Sequence, residues 1–311
     1  MELRVFAEPQ EGASYEQQLA AALAAERLGF GAFFRSDHLL RIRPGDPLPG
    51  PTDSWVTLGA LARETSTIRL GTMVSSATFR LPGALAVAVA QVDAMSAGRV
   101  DLGLGSGWFE QEHAAYGIPF PPVGERFERL EEQFAIISGL WATAPGERFS
   151  FEGEHYRLLD CPALPRPASA SGPPLIVGGL GAKRTPALAA RYAAEFNVPF
   201  AGVERARMQF QRVRSACEQA GRDPDSLVYS HAITVCCATS EGELRRRAER
   251  IGRDLDDLRS NGAAGSPDEV LERLSDFAGA GSQRAYLQVI DLDDVDQLEL
   301  IAAEVMPQLL H

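Results

Sequence analysis

The sequence predicts a closed (β/α)8 barrel, and three observations carry that reading. Eight short β-like runs alternate with helical patterns, the 311 residues show no domain-sized break in composition, and 45% apolar content beside 23% charged residues suffices for one large core. A doubly wound open sheet would usually need fewer strands or a second domain. We therefore expect a single domain over 1–311.

Each element has a local reason. The first strand, Leu3 to Ala7, precedes a helix opened by a Ser14/Gln17 capping box and stopped at Gly29. Ala32 to Ser36 is the second strand, with Trp55, Leu58 and Leu61 at helical spacing behind it. The third, Ile68 to Val74, leads to a helix that has Pro82 at its start, Leu85, Val89, Val92 and Met95 along one stripe, and Gly98 at its end. Val100 to Leu104, the fourth, runs into a glycine-rich turn, after which Phe127, Leu130, Phe134, Ile137 and Trp141 mark the clearest amphipathic helix. FSFEGEHYRL then alternates about Glu152-Gly153, which predicts a hairpin, so 109–172 reads as an excursion over the barrel mouth. The fifth strand is Leu175 to Val177, followed by Thr185-Pro186 as cap and first-turn proline. Glu195 to Val198 is the sixth strand, with a helix over Val203 to Ala220, and Val228 to Cys237 is the seventh. Capping boxes at Ser240/Glu243 and Ser266/Glu269 open two helices, Ala285 to Ile290 is the eighth strand, and Asp294 to Leu310 closes the chain as helix.

Composition narrows the partners. With 30 basic and 42 acidic residues the net charge of −12 repels nucleic-acid phosphates and anionic lipid, so neither is expected to bind. No apolar run approaches the roughly 20 residues of a membrane span, and MELRVFAEP is charged where a secretory signal is apolar, so a cytoplasmic protein is expected. Cys161, Cys217, Cys236 and Cys237 form no disulfide or metal framework, and the adjacent pair would face opposite sides of a strand. No metal is expected.

A barrel gathers its chemistry where strands end at their carboxyl side. Those positions hold Glu8, Ser36-Asp37-His38, Met73 to Ser76, Gly105-Ser106-Gly107-Trp108, Gly178 to Gly181 and Asn197, a set that suits a bound organic cofactor better than a metal. Gly178-Gly179-Leu180-Gly181-Ala182-Lys183-Arg184 lies between a strand and a helix, where bare N–H groups can hold a phosphate. Ala182 before the lysine excludes a Walker loop, and Lys183 is the only lysine in the chain. The plainer alternative is a tight turn. Gly103, Gly105 and Gly107 approach a dinucleotide fingerprint, but Trp108 fails it. That leaves close backbone approach to a flat ligand, with Ser106 as a donor, or simple packing of small residues. Asp37-His38 is a candidate acid/base pair. His113, His155 and His231 read as structural, and Glu110 and Glu112 as solvated helix charges, a catalytic carboxylate being the alternative.

Four segments, FFRSDHL (33–39), STIRLGTMVSSATFRLPGALA (66–86), GRVDLGLGSGWFEQEHAAYGIPFP (98–121) and PLIVGGLGAKRT (174–185), resemble the luciferase-like monooxygenase superfamily, and more closely its branch that uses the deazaflavin coenzyme F420. The resemblance implies a (β/α)8 barrel with a flavin-type ring at its carboxyl face, exchanging hydride between F420 and a small apolar or conjugated substrate. It implies a nonprolyl cis peptide at Met73-Val74 behind the ring, with Ser75 beside it, and ring or ribityl contacts from Ser106 and Gly107. Gly178, Gly179, Leu180, Gly181 and Lys183 would hold the phosphate, and Asp37 and His38 would line the ring edge. Trp108 stands where sugar-phosphate dehydrogenases of this branch carry a glutamate acid, which leaves His38 as the candidate catalytic proton carrier. A homodimer is implied as well. An FMN-dependent monooxygenase and a noncatalytic flavin-binding relative are the alternatives. A Schiff-base aldolase lacks a lysine at a strand end outside the glycine loop.

Overall fold

In the computed structural model, which describes residues 1–46, 48–169 and 171–309, the eight expected strands are present and parallel. They are β1 (Glu2–Ala7), β2 (Ala32–Arg35), β3 (Arg69–Ser76) and β4 (Val100–Gly105), then, after the hairpin β5 (Phe149–Glu152) and β6 (Arg157–Cys161), β7 (Leu175–Gly178), β8 (Glu195–Pro199), β9 (Val228–Cys237) and, past a short β10 (Ala263–Gly265), β11 (Arg284–Val289). The hydrogen-bonded order β9-β11-β1-β2-β3-β4-β7-β8 closes because β8 pairs back to β9. A closed ring of parallel strands is the (β/α)8 barrel that the alternation predicted.

Strand parity decides what faces inward. Phe6, Phe34, Ile176, Ala232 and Tyr286 fill the barrel interior, while the alternate positions, Val5, Phe33, Val177 and Leu287 among them, join the larger core between strands and helices. The adjacent cysteines obey the same rule: Cys237 belongs to the main core and Cys236 to a separate cluster under the following helices. At the amino end of the barrel Arg4 is buried and bonds to Glu2 (2.6 Å), Asp101 (3.1 Å) and the Tyr286 hydroxyl (3.0 Å). This ionic floor leaves the carboxyl end open for a ligand.

The outer helices are α1 (Tyr15–Leu28), α2 (Ser54–Glu64), α3 (Pro82–Met95), α4 (Glu110–Ala115), α5 (Val123–Ala142), α6 (Arg184–Tyr192), α7 (Val203–Gln219), α8 (Glu241–Arg250), α9 (Leu255–Asn261), α10 (Pro267–Gly279), α11 (Val295–Leu300) and α12 (Met306–Leu309), the last two joined by a π-turn. Both bonds of the box form at Ser14/Gln17 and at Ser266/Glu269; at Ser240 the hydroxyl caps Glu243 N, but the Glu243 carboxylate returns to Thr239. Three expectations need correction. Helix α6 begins at Arg184 with Lys183 at the cap position, and Thr185 is buried in the first turn instead of capping. Helix α9, capped by Asp254, was hidden because its seven residues are too few for a periodic stripe. The 109–172 excursion is mostly ordinary barrel: α5 packs on α3 and α6, and the β5–β6 hairpin lies along α5, with Tyr156 bonded to Gln133.

Candidate active site

The carboxyl ends of the strands enclose a cavity of about 340 Å³. Its wall is made by Phe6 and Glu8 after β1, Asp37 and His38 after β2, Met73, Val74 and Ser76 of β3, the 105–108 turn after β4, and Gly178-Gly179 after β7. Among the described residues of the 109–172 segment, only Glu112 reaches it. Ligand-type atoms also gather at Glu128, Glu154 and His155, but these lie on α5 and the hairpin turn, away from this cavity.

His38 is the most organised side chain in the wall. Its Nδ1 lies 3.0 and 3.1 Å from the two carboxylate oxygens of Glu112, one of which also accepts the Leu39 N–H at 2.9 Å. A carboxylate only accepts, so Nδ1 carries a proton, and in the neutral imidazole Nε2 is the nitrogen with the lone pair. The ring is held edge-on by Trp108 at 5.6 Å. Asp37, its neighbour, is buried and salt-bridged by Arg80 at 2.5 Å; the same guanidinium reaches Asp53, the cap of α2, at 2.6 Å. Asp37 thereby pins the β2 loop to α2.

The β3 strand is irregular where it meets the cavity. Its pairing with β4 shifts between Thr72 and Ser75, and the Met73-Val74 peptide is cis. The shift changes which side chains face in. Ser75 is turned away into the core, taking a bond from Trp55 Nε1 at 3.1 Å, and Ser76 lines the cavity in its place. A Cβ on Gly103 would sit 2.2 Å from the Thr72 carbonyl, and one on Gly105 would sit 2.8 Å from Val74. Both glycines are thus required by strand packing, the plainer of the two sequence readings. Gly107 differs: its φ of +78° is one that only glycine adopts freely, and it turns Ser106 and Trp108 into the mouth.

At the opposite rim, Gly178 and Gly179 line the cavity, whereas Leu180 packs on the core and Gly181 and Lys183 are exposed outside the lining. Gln209, buried on α7, donates to the Gly181 carbonyl at 2.7 Å and more weakly to that of Gly179 at 3.4 Å. Because a trans peptide sets N–H opposite C=O, drawing these carbonyls toward α7 turns the Leu180 and Ala182 N–H groups the other way. Among the described residues, the amides of 180–183 donate to no protein atom. They are the bare donors an anion needs at a helix start.

Comparison with known proteins decides the ancestry. The luciferase-like monooxygenase family profile matches residues 1–304. The chain belongs to that family. Among characterised relatives of this luciferase-like barrel, an F420-dependent glucose-6-phosphate dehydrogenase of Beutenbergia cavernae is 40% identical over 164 residues, 50% of this chain and 47% of that one. An F420-dependent hydroxymycolic acid dehydrogenase of Mycobacterium tuberculosis is 34% identical over 219 residues, 68% of this chain and 56% of that one. The chain thus spans about half the length of the curated relatives it matches. Two solved structures share the fold with a TM-score of 0.84: a monooxygenase from Streptomyces bottropensis, 24% identical with 99% of each chain covered, and an F420-dependent secondary alcohol dehydrogenase, 19% identical with 100% and 99% covered.

Within this luciferase-like barrel, sequence reasoning passed over two residues that the fold brings to the site. Glu112, for which the sequence leaves a solvated helix charge and a catalytic carboxylate both open, is 2% exposed and holds His38. Its spacing from His113, also buried, placed both on the inner side of a six-residue helix too short to show periodicity. Gln209 carries no sequence signal beyond being a polar residue within an apolar stripe. Glu8 had been noted only as a strand end. Burial pushes its carboxyl above the usual carboxylate range, and the nearby positive charge of Arg43 offsets that only in part.

Proposed function

We propose that this chain is an oxidoreductase that passes hydride between F420 and a small organic substrate. The observation that carries it is the pairing, across one cavity, of a bare-amide loop suited to a phosphate with a histidine whose proton position is fixed. The residues present suit a deazaflavin: the bulged Met73-Val74 backbone offers a flat wall, the 105–107 turn allows close approach, and the loop that follows the cavity-lining Gly178-Gly179 carries unbonded amides at 180–183. When bound, the coenzyme supplies the hydride chemistry. The chain's own part is to position and to manage one proton. Glu112 keeps the His38 proton on Nδ1, so Nε2 can accept a proton from a substrate hydroxyl or return it to a carbonyl oxygen. Trp108, Phe6 and Phe200 give the substrate side an apolar face. The F420-dependent dehydrogenases among the relatives support the coenzyme.

Fluorescence titration of the purified protein with F420 and with FMN tests this. F420 should bind and FMN should not; the reverse preference moves the chain to oxygen-activating flavin chemistry. Binding without bleaching of the 420 nm-type absorbance by any alcohol or reductant would make it a noncatalytic holder. We also propose a homodimer, supported by exposed Val87 and Leu164 flanking a common groove beside α3; light scattering at a monomer mass overturns it.

A further inference from the structure

Beyond Trp108 the mouth opens into a second lobe of about 350 Å³, separated from the first by Glu8, Ile42, Trp108 and Phe200, which line both. The two lobes differ in character. The first is walled on this side by apolar and aromatic groups. The second is rich in hydrogen-bond donors: Arg43 from the β2 loop, Arg253 before α9, and Gln288 on β11.

The donors in this lobe outnumber the acceptors that satisfy them. Arg43 reaches Glu8 only at 3.4 Å, and its Nη1 is buried with no partner among the described residues. Arg253 gives Nη2 to Asp257 at 2.8 Å, and no other bond from its guanidinium forms among the described residues. Gln288 uses its oxygen to accept the Thr234 hydroxyl at 2.5 Å, which leaves its NH2 free. Asp257, the lobe's other carboxylate, is already taken by Arg253 and by Asn261 at 2.8 Å. A buried guanidinium nitrogen without an acceptor is unfavourable, and planar oxyanions are the groups that best satisfy it.

We propose that this second lobe is a subsite for an anionic oxygen group, carboxylate or phosphate, on the far end of the substrate, bound by Arg43 and Arg253. The inference rests on the proposed function in one respect, that the first lobe holds the coenzyme and the reacting carbon. It narrows the substrate class to an alcohol or carbonyl compound whose reacting end is flanked by apolar surface and whose other end bears the charge. Glu8, at the junction, competes for Arg43 and sits between the two ends.

The test uses F420-free protein and three probes of similar reach: 4-phenylbutyrate, 2-phenylethyl phosphate and 4-phenylbutan-1-ol, with affinities from calorimetric titration. At least one anion should bind tenfold or more tighter than the alcohol, and the tighter of the two tells carboxylate from phosphate. Arg43→Gln and Arg253→Gln should each weaken the anions at least fivefold and the alcohol less than twofold. The Arg253 variant keeps the test valid should the Arg43 variant fail to fold, which thermal melting reveals. Equal affinity for all three probes, or an anion preference that survives both substitutions, overturns the subsite. F420 titration of the same samples separates the two readings: anion preference without F420 binding removes the coenzyme assignment and leaves the lobe.

Discussion

Substituting Glu112 by Gln changes almost no volume but removes the symmetry of its acceptor set. The carboxylate now serves two N–H groups, Nδ1 of His38 and the amide of Leu39, at 3.0 and 2.9 Å. A carboxamide has one oxygen and one NH2; with the oxygen kept where it accepts the Leu39 amide, the NH2 takes the place of the carboxylate oxygen 3.0 Å from Nδ1 and meets its N–H donor to donor. The Leu39 amide is fixed by the backbone and His38 can change tautomer, so the amide keeps the oxygen and the imidazole proton moves to Nε2. The loss of one hydrogen bond to a charged group is about 1.5–3 kcal/mol, or roughly 10- to 150-fold in turnover if Nε2 must begin with a lone pair. Nitrogen-15 NMR of the His38 ring reads the tautomer without any substrate, and F420-linked turnover reads the rate. An unchanged nitrogen pattern with turnover within twofold of the parent would refute the dyad.

The remaining predictions concern stability and the rim. Arg4→Met removes the centre of the ionic floor, but Asp101 retains Arg69 and Glu195 and Glu2 retain Arg284. The cost should therefore sit at the low end for a broken buried pair, about 3 kcal/mol, seen by calorimetry as a fall in Tm of roughly 4–5 °C for a chain of this length; a shift under 2 °C contradicts it. His231, stacked at 3.9 Å on Phe277, is pushed by burial down to about 3 from an ordinary value of 6.5, against a smaller upward pull from the Arg284 backbone. Its folded value lies below its unfolded one, so the unfolded chain takes up the extra proton between those values and stability falls as pH drops below about 6.5. Urea midpoints should record about 2 kcal/mol lost from pH 7 to pH 5 through this residue, and His231→Phe should flatten that part of the slope. Lys183→Gln should weaken F420 by no more than about threefold, as befits an exposed charge; a thirtyfold loss in the titration would return the lysine to the anchoring role the sequence suggested.

The barrel was legible because its signals are local and repeated: eight strand–helix alternations, each with caps or periodic stripes, leave little freedom in how the chain closes. The strand-end residues were legible for the same reason, since topology alone sends Asp37, His38, Ser106 and Gly178 to one face. What escaped depends on through-space partners. Ser75 and Ser76 exchanged roles because a one-residue irregularity in pairing inverts strand parity, which no pattern in STIRLGTMVSS discloses. Glu112 meets His38 across 74 positions of chain, and a short helix conceals its inward face. The lysine's uniqueness is a fact of composition, whereas the orientation of the Gly179 and Gly181 carbonyls is set by Gln209 from the helix behind.

The fit between Val74 and the glycines of β4 has a bearing on how this scaffold can be altered. Two neighbouring strands share one steric constraint, so randomising positions 103 and 105 alone should recover only glycine. Variation in ligand preference must then arise from Trp108, Ile42 and Phe200, whose side chains border open space and whose replacement disturbs no strand register. Evolution and engineering alike are steered to one side of the cavity.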